Sequence, residues 1–362
     1  MKLAAQIAKV IVGVLFIFSG LIKLNDPVGT QIKLEEYFEV FAQDLPALHD
    51  LFLALVPFAL YFSVILCVAE VVLGVALLVS YKPKTTSWLL LITIVFFTFL
   101  TFYSAYFNRV TDCGCFGDAI KLEPWTSFGK DIFLLVLILF ILYNGKLFRS
   151  MPTGLIVAVA TVTSVGVAFY AIRHLPILDL LPYRVGASIP EQMKPSEEMR
   201  YKYVFTKDGK EVEFENFPTD TTLQFKEMVL LNENAKPKIT DYRTWNDEGD
   251  FTQQTFEGNK LFIIVKNLND INVAAFPEIR KLVTDLKGKK VEPLILTSAS
   301  SGEMDEFLKA QQLPLPYYYA DATVLKTISR ANPGIWLLQN GVVKGKWHYN
   351  DTPDVETVLG KL

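Results

Sequence analysis

Five apolar segments dominate the first half of this chain, at residues 5–24, 60–79, 87–107, 130–143 and 153–172. Each approaches the roughly 20 apolar residues that a bilayer core demands, so a soluble globule is excluded for that half. The first segment resembles a signal peptide in its Lys2 and Lys9. No small-x-small cleavage pattern follows it, however, and it runs into Lys23-Leu24-Asn25-Asp26-Pro27, so a retained helix is expected. Between the first two spans, Glu35, Glu36, Tyr37, Phe38 and Phe41 fit either an amphipathic segment at a membrane surface or an ordinary connecting loop. Lysines cluster at alternate ends of the spans: Lys2 and Lys9, Lys82 and Lys84, then Lys146 with Arg149. The positive-inside bias then puts the N-terminus in the cytoplasm. The loop after the third span and the whole C-terminal half fall on the opposite, outer side. The expected organisation is a four-helix membrane domain over 1–148, a fifth transmembrane helix over 149–173, a linker over 174–200 with Pro176, Pro182, Pro190 and Pro195, and an extracytoplasmic domain over 201–362. The formal net charge of −3 and the lack of a basic run exclude a nucleic-acid partner.

The C-terminal half reads as a soluble α/β domain. A hairpin is expected from Tyr201–Thr206 and Glu211–Phe214 around Lys207-Asp208-Gly209, and residues 215–258 carry no clear pattern. From Lys260 onward, apolar runs at Leu261–Val265, Val291–Thr297, Tyr317–Tyr319, Ile335–Leu338 and Val342–Trp347 alternate with helical spacing at 273–287, 302–312, 322–330 and 353–361. That alternation predicts a sheet with helices on both faces. The order resembles the thioredoxin fold from about residue 260, with Asn332-Pro333-Gly334 standing where that family has its cis-proline. The resemblance would put a Cys-x-x-Cys near Asn267–Asn272, which reads NLNDIN, and no cysteine follows Cys115. A thiolate is obligatory for disulfide exchange, so this domain is expected to bind a partner and not to catalyse.

Two of the three cysteines fall in Asp112-Cys113-Gly114-Cys115-Phe116-Gly117-Asp118, between the third and fourth spans. A Cys-x-Cys bridge closes a very small ring, and strained bridges are the more oxidising ones. A cycling redox pair, a static bridge, half a metal site and two free thiols are the open readings. Metal is disfavoured because a closed zinc site takes four ligands, while His49, His174 and His348 are all distant in sequence. Asp112 and Asp118 raise thiol pKa values and count against a strongly activated nucleophile. Glu70 is an ionisable group inside a span, a functional candidate by default, with Cys67 three residues earlier on the same face. Glu70 is read either as a proton relay or quinone contact, or as a packing residue bonded to a neighbouring helix. Cys67 itself reads as a small buried apolar residue. Lys23, Asn25 and Asp26 read as a snorkelling lysine and a polar stop, or as a polar cluster near the cysteine loop. The aromatic run Phe96, Phe97, Phe99, Phe102, Tyr103, Tyr106 and Phe107 reads as a lipid-facing belt in preference to a quinone site.

The segment Cys113-Gly114-Cys115-Phe116-Gly117-Asp118 resembles the MauE group of DoxX-like membrane proteins. So do Phe18-Ser19-Gly20-Leu21-Ile22-Lys23-Leu24 with Asp26-Pro27, and Cys67 to Gly74. The resemblance covers about residues 5–145, and the fused tail resembles an arrangement found in Bacteroidota. It implies a four-helix membrane unit that forms or maintains disulfides in periplasmic protein partners, with Cys113 and Cys115 as the working pair; no cofactor is fixed, and quinone is a candidate. The alternative is a non-enzymatic scaffold or assembly factor whose Cys113–Cys115 bridge is only structural. Membrane lipid is a partner on either reading.

Overall fold

Proline and aspartate set where several helices of the N-terminal half begin. In a computed structural model, residues 1–110, 117, 122–207, 210–220 and 222–362 are described; Cys113, Cys115 and their flanking aspartates lie outside them. The chain divides into two units, Met1–Leu180 and Leu181–Leu362. Helix α1 spans Lys2–Asn25. The Asp26 carboxylate accepts from the Gly29 N–H at 2.9 Å and, with Pro27 in the first turn, starts α2, Pro27–Asp44. A helical run over Pro46–Leu78 follows, comprising α3 (His49–Leu55) and α4 (Ala59–Leu78) with short 3-10 turns. Helices α5 (Pro83–Phe107) and α6 (Pro124–Tyr143) each open on a proline, and α7 spans Gly154–His174. Five of these helical stretches are long and apolar enough to cross a membrane, at the five positions read from the sequence. The undecided segment after α1 is helix α2, packed against α4.

Helix α4 is the hub of this unit, with α1, α2 and α7 against it, while α5 pairs with α6. Glycines let α1 and α4 approach closely. A Cβ on Gly74 would stand 2.8 Å from the Gly13 carbonyl oxygen, and one on Gly20 would stand 2.9 Å from the Val71 backbone nitrogen. Backbone atoms cannot step aside as a flexible side chain can. Gly74→Leu is therefore expected to force the two helices apart, at about 1–3 kcal/mol or more. Detergent-solubilised unfolding checks this, and an unchanged midpoint would contradict the close approach.

The C-terminal unit holds two sheets. Strands β1 (Tyr201–Lys207), β2 (Lys210–Phe214) and β3 (Gln224–Leu230) form an antiparallel sheet of order β2-β1-β3. A short helix α8, Ile189–Gln192, precedes them. The larger sheet contains β4 (Thr244–Asn246), β5 (Gly249–Asp250), β6 (Asn259–Val265), β7 (Glu292–Thr297), β8 (Tyr317–Ala320), β9 (Gly334–Gln339) and β10 (Val342–His348). Its order is β10-β9-β6-β7-β8-β4-β5, with β6, β7 and β8 parallel and the outer pairings antiparallel. Strand residues alternate between two cores. Leu261, Ile263 and Val265 face α9 (Phe276–Asp285) and α10 (Ser301–Ala310), while Phe262 and Ile264 face α11 (Ala322–Ile328). Val358 of α12 (Val355–Gly360) joins the first core.

Part of the expected linker 174–200 belongs to this domain instead. Tyr183 and Ile189 are buried in the second core, and Tyr183 packs on Trp336 with ring centroids 6.0 Å apart. The backbones of Gly186, Ala187 and Ile189 bond to Val343 and Gly341. Prolines suggested a free connector, but they interrupt helix and strand without preventing a chain from covering a core. Burial pushes the Tyr183 and Tyr242 hydroxyls above the ordinary tyrosine range, so both stay neutral.

Candidate functional site

Glu70 lies on α4, and the close α1–α4 approach brings Lys23 of α1 to it. Lys23 Nζ donates to Glu70 Oε1 at 2.5 Å, with both side chains at least 95% buried. The same ammonium sits 4.2 Å from the centroid of the Phe97 ring on α5, within the range of a cation–π contact. A second charged pair enters from α6. Asp131 is 1% exposed, accepts from Lys130 Nζ at 2.5 Å and takes a 3.0 Å hydrogen bond from Thr101 Oγ1 on α5. Helices α1, α4, α5 and α6 thus all supply a polar side chain or ring to one site. Two positive and two negative groups balance there, which is the condition for tolerating buried charge.

Between these groups lies a cavity of about 20 Å³, lined by Ser19, Lys23, Glu70, Phe97, Lys130 and Asp131 among others. It has room for roughly one water, and its walls carry the polar partners a water needs. Small-molecule sites occupy about 300–1,000 Å³, so a quinone ring does not fit beside Glu70. Lys9 donates to Ser80 Oγ at 2.6 Å, and residues 9 and 23 are separated by roughly 21 Å of helix rise. The Lys23–Glu70 pair is therefore deep within the apolar bundle measured from that end.

The structure separates the three polar residues that close the first span. Lys23 turns inward to Glu70 and does not snorkel. Asn25 clasps the backbone of Leu178, donating to its carbonyl and accepting from its N–H, each at 2.8 Å. Asp26 caps α2. A chain gives no local sign of which way a lysine near a helix end turns; the carboxylate on another helix decides it. Cys67 is fully buried among Leu24, Val71 and Ala168, with Ser63 Oγ at 4.0 Å and Thr30 Oγ1 at 3.9 Å. The aromatic run is not uniformly lipid-facing. Phe96, Phe99, Phe102, Tyr106 and Phe107 are exposed. Phe97 faces Lys23, and Tyr103 is buried against Phe41 at 4.8 Å and donates to Asp44.

Lys130 and Asp131 are the site residues that sequence reasoning missed. The fourth span was expected to start at residue 130, which puts both at its edge. Pro124 in the first turn starts α6 six residues earlier, and a proline in that place is the signal that was available.

In the C-terminal unit, the Asn332–Pro333 peptide bond is cis, as the sequence suggested. Asn332 ties down the Asn267–Asn272 loop. Its side chain accepts from the Lys266 N–H at 3.0 Å and donates to the Asn267 carbonyl at 2.9 Å and to Asp270 Oδ1 at 3.0 Å. Its own carbonyl accepts from the Asn272 N–H at 2.9 Å. Together these hydrogen bonds hold the 267–272 loop in place.

No curated protein and no solved structure matches the chain. A family model described as methylamine utilisation protein MauE matches residues 1–144. That match takes in Lys23, Glu70, Asp131 and the Cys113–Cys115 stretch, and the five long apolar helices make the protein multi-pass. Residues 1–144 are thus similar to the MauE family of membrane proteins, and a further apolar helix and an α/β domain follow them in the chain.

Proposed function

We propose that this protein carries out thiol–disulfide exchange with protein partners on the periplasmic side of a bacterial inner membrane, using Cys113 and Cys115. The observation that carries the reading is the MauE match itself, because it encloses both cysteines together with the buried charge cluster. A partner thiolate attacks one sulfur of the Cys113–Cys115 disulfide and forms a mixed disulfide. A second partner thiolate then releases the pair as two thiols, and the partner leaves oxidised. Two electrons and two protons pass to the loop, and exchange alone needs no cofactor. Glu70, paired with Lys23 beside a water-sized cavity, is the candidate proton relay within the bundle. No step is assigned to a quinone, which the cavity does not fit.

The C-terminal domain is the partner-binding element, a thioredoxin-like domain without its own thiols. The parallel β6-α9-β7 unit, the antiparallel β9–β10 hairpin and the cis Asn332–Pro333 bond support that reading. The pinned Asn267–Asn272 loop also favours the second reading, a scaffold whose cysteine bridge only staples a turn. Cys115→Ser separates the two. Under exchange, Cys113 of this variant holds a partner as a mixed disulfide, seen as a reductant-sensitive adduct from cells and lost in Cys113→Ser/Cys115→Ser. Absence of any such adduct would leave the scaffold reading standing.

A further inference from the structure

At the lysine-rich end of the membrane unit, an open cleft of about 630 Å³ lies between the start of α5 and the segment after α6. Lys82, Lys84 and Lys146 line it, and all three are exposed. Among the described residues, none of them pairs with a carboxylate. Ser87, only 3% exposed, also lines the cleft. The cleft therefore presents three cations and a hydroxyl, donors that suit a phosphate.

Trp88, Leu142 and Phe148 give it apolar wall as well. Trp88 begins an exposed stripe on α5, followed by Ile92, Val95 and Phe99. These residues stand at helical spacing on one face and lead away from the lysines along the span. A soluble anion would have no use for that stripe, whereas an acyl chain would. A tryptophan at the junction fits the headgroup level of a bilayer.

We propose that this cleft binds one anionic phospholipid, its phosphate held by Lys82, Lys84, Lys146 and Ser87 and one acyl chain laid along Trp88, Ile92 and Val95. Basic pockets between membrane helices recognise anionic headgroups in this way.

The test uses the full-length protein in nanodiscs of mixed phosphatidylglycerol and phosphatidylcholine, with the lipids retained on extraction counted by native mass spectrometry. The wild type is expected to retain one phosphatidylglycerol at least about tenfold over phosphatidylcholine. Lys82→Gln/Lys84→Gln/Lys146→Gln should lose that preference, each lysine near a charged headgroup contributing roughly a fivefold effect. Ser87→Ala should weaken it with the lysines intact, and Lys84→Gln serves as the mildest variant if the triple change impairs folding. Lys287→Gln/Lys289→Gln, exposed lysines of the C-terminal domain, should leave it unchanged. Retention unaltered by the cleft variants, or lowered equally by the C-terminal pair, would overturn the proposal. Displacement of the lipid by millimolar inorganic phosphate would show a soluble anion as the occupant and overturn it as well.

Discussion

Lys23→Met is expected to destabilise the membrane unit by about 3–5 kcal/mol, the usual consequence of leaving a buried charge without its partner. The change keeps volume and removes only the ammonium, so packing loss is a minor part of it. Glu70 is then left with no cation at 2.5 Å, inside a bundle with space for roughly one water. Glu70→Met should behave alike, because it strands Lys23. The double variant Lys23→Met/Glu70→Met should be far milder than either single, since replacing a buried pair by apolar groups is often neutral or stabilising. Unfolding of the detergent-solubilised protein reads all three. Additive losses in the double variant would mean that the two residues act separately and that the pair is not a unit.

Asn332→Ala is expected to cost the C-terminal domain about 2–4 kcal/mol. Asn332 is buried, and its side chain satisfies the Lys266 N–H, the Asn267 carbonyl and Asp270. Each bond is worth about 0.5–1.5 kcal/mol net, and a buried group left unmade costs more. The Lys266 amide should gain hydrogen exchange, while the β9–β10 hairpin keeps its protection. Protection unchanged at the Lys266 amide would show that the loop is held by something other than the Asn332 side chain.

Local pattern made some of this structure readable in advance, and distance in the chain hid the rest. The apolar runs became helices close to their expected ends, because a span needs length and composition and little else. The apolar runs from Leu261–Val265 onward became β6 to β10 for the same reason: a short apolar run bounded by polar and turn residues is visible within ten residues. The strands of 215–258 were missed. Gln224–Leu230 mixes Gln, Lys and Glu with Phe, Met and Val, so partner strands and not its own pattern decide its state. Glu70 stood out as a lone charge in an apolar run. Its partner Lys23 lies 47 positions away, and only the approach of α1 to α4 joins them. Asp131 was lost to a boundary error of six residues, and Tyr183 to the habit of reading prolines as linker.

The most direct test of the exchange reaction is the oxidation state of Cys113 and Cys115 in living cells, trapped by acid and read with a mass-shifting thiol label. Exchange predicts a mixed population of oxidised and reduced pairs. A pair that is fully oxidised throughout would contradict it and mark the bridge as a structural staple.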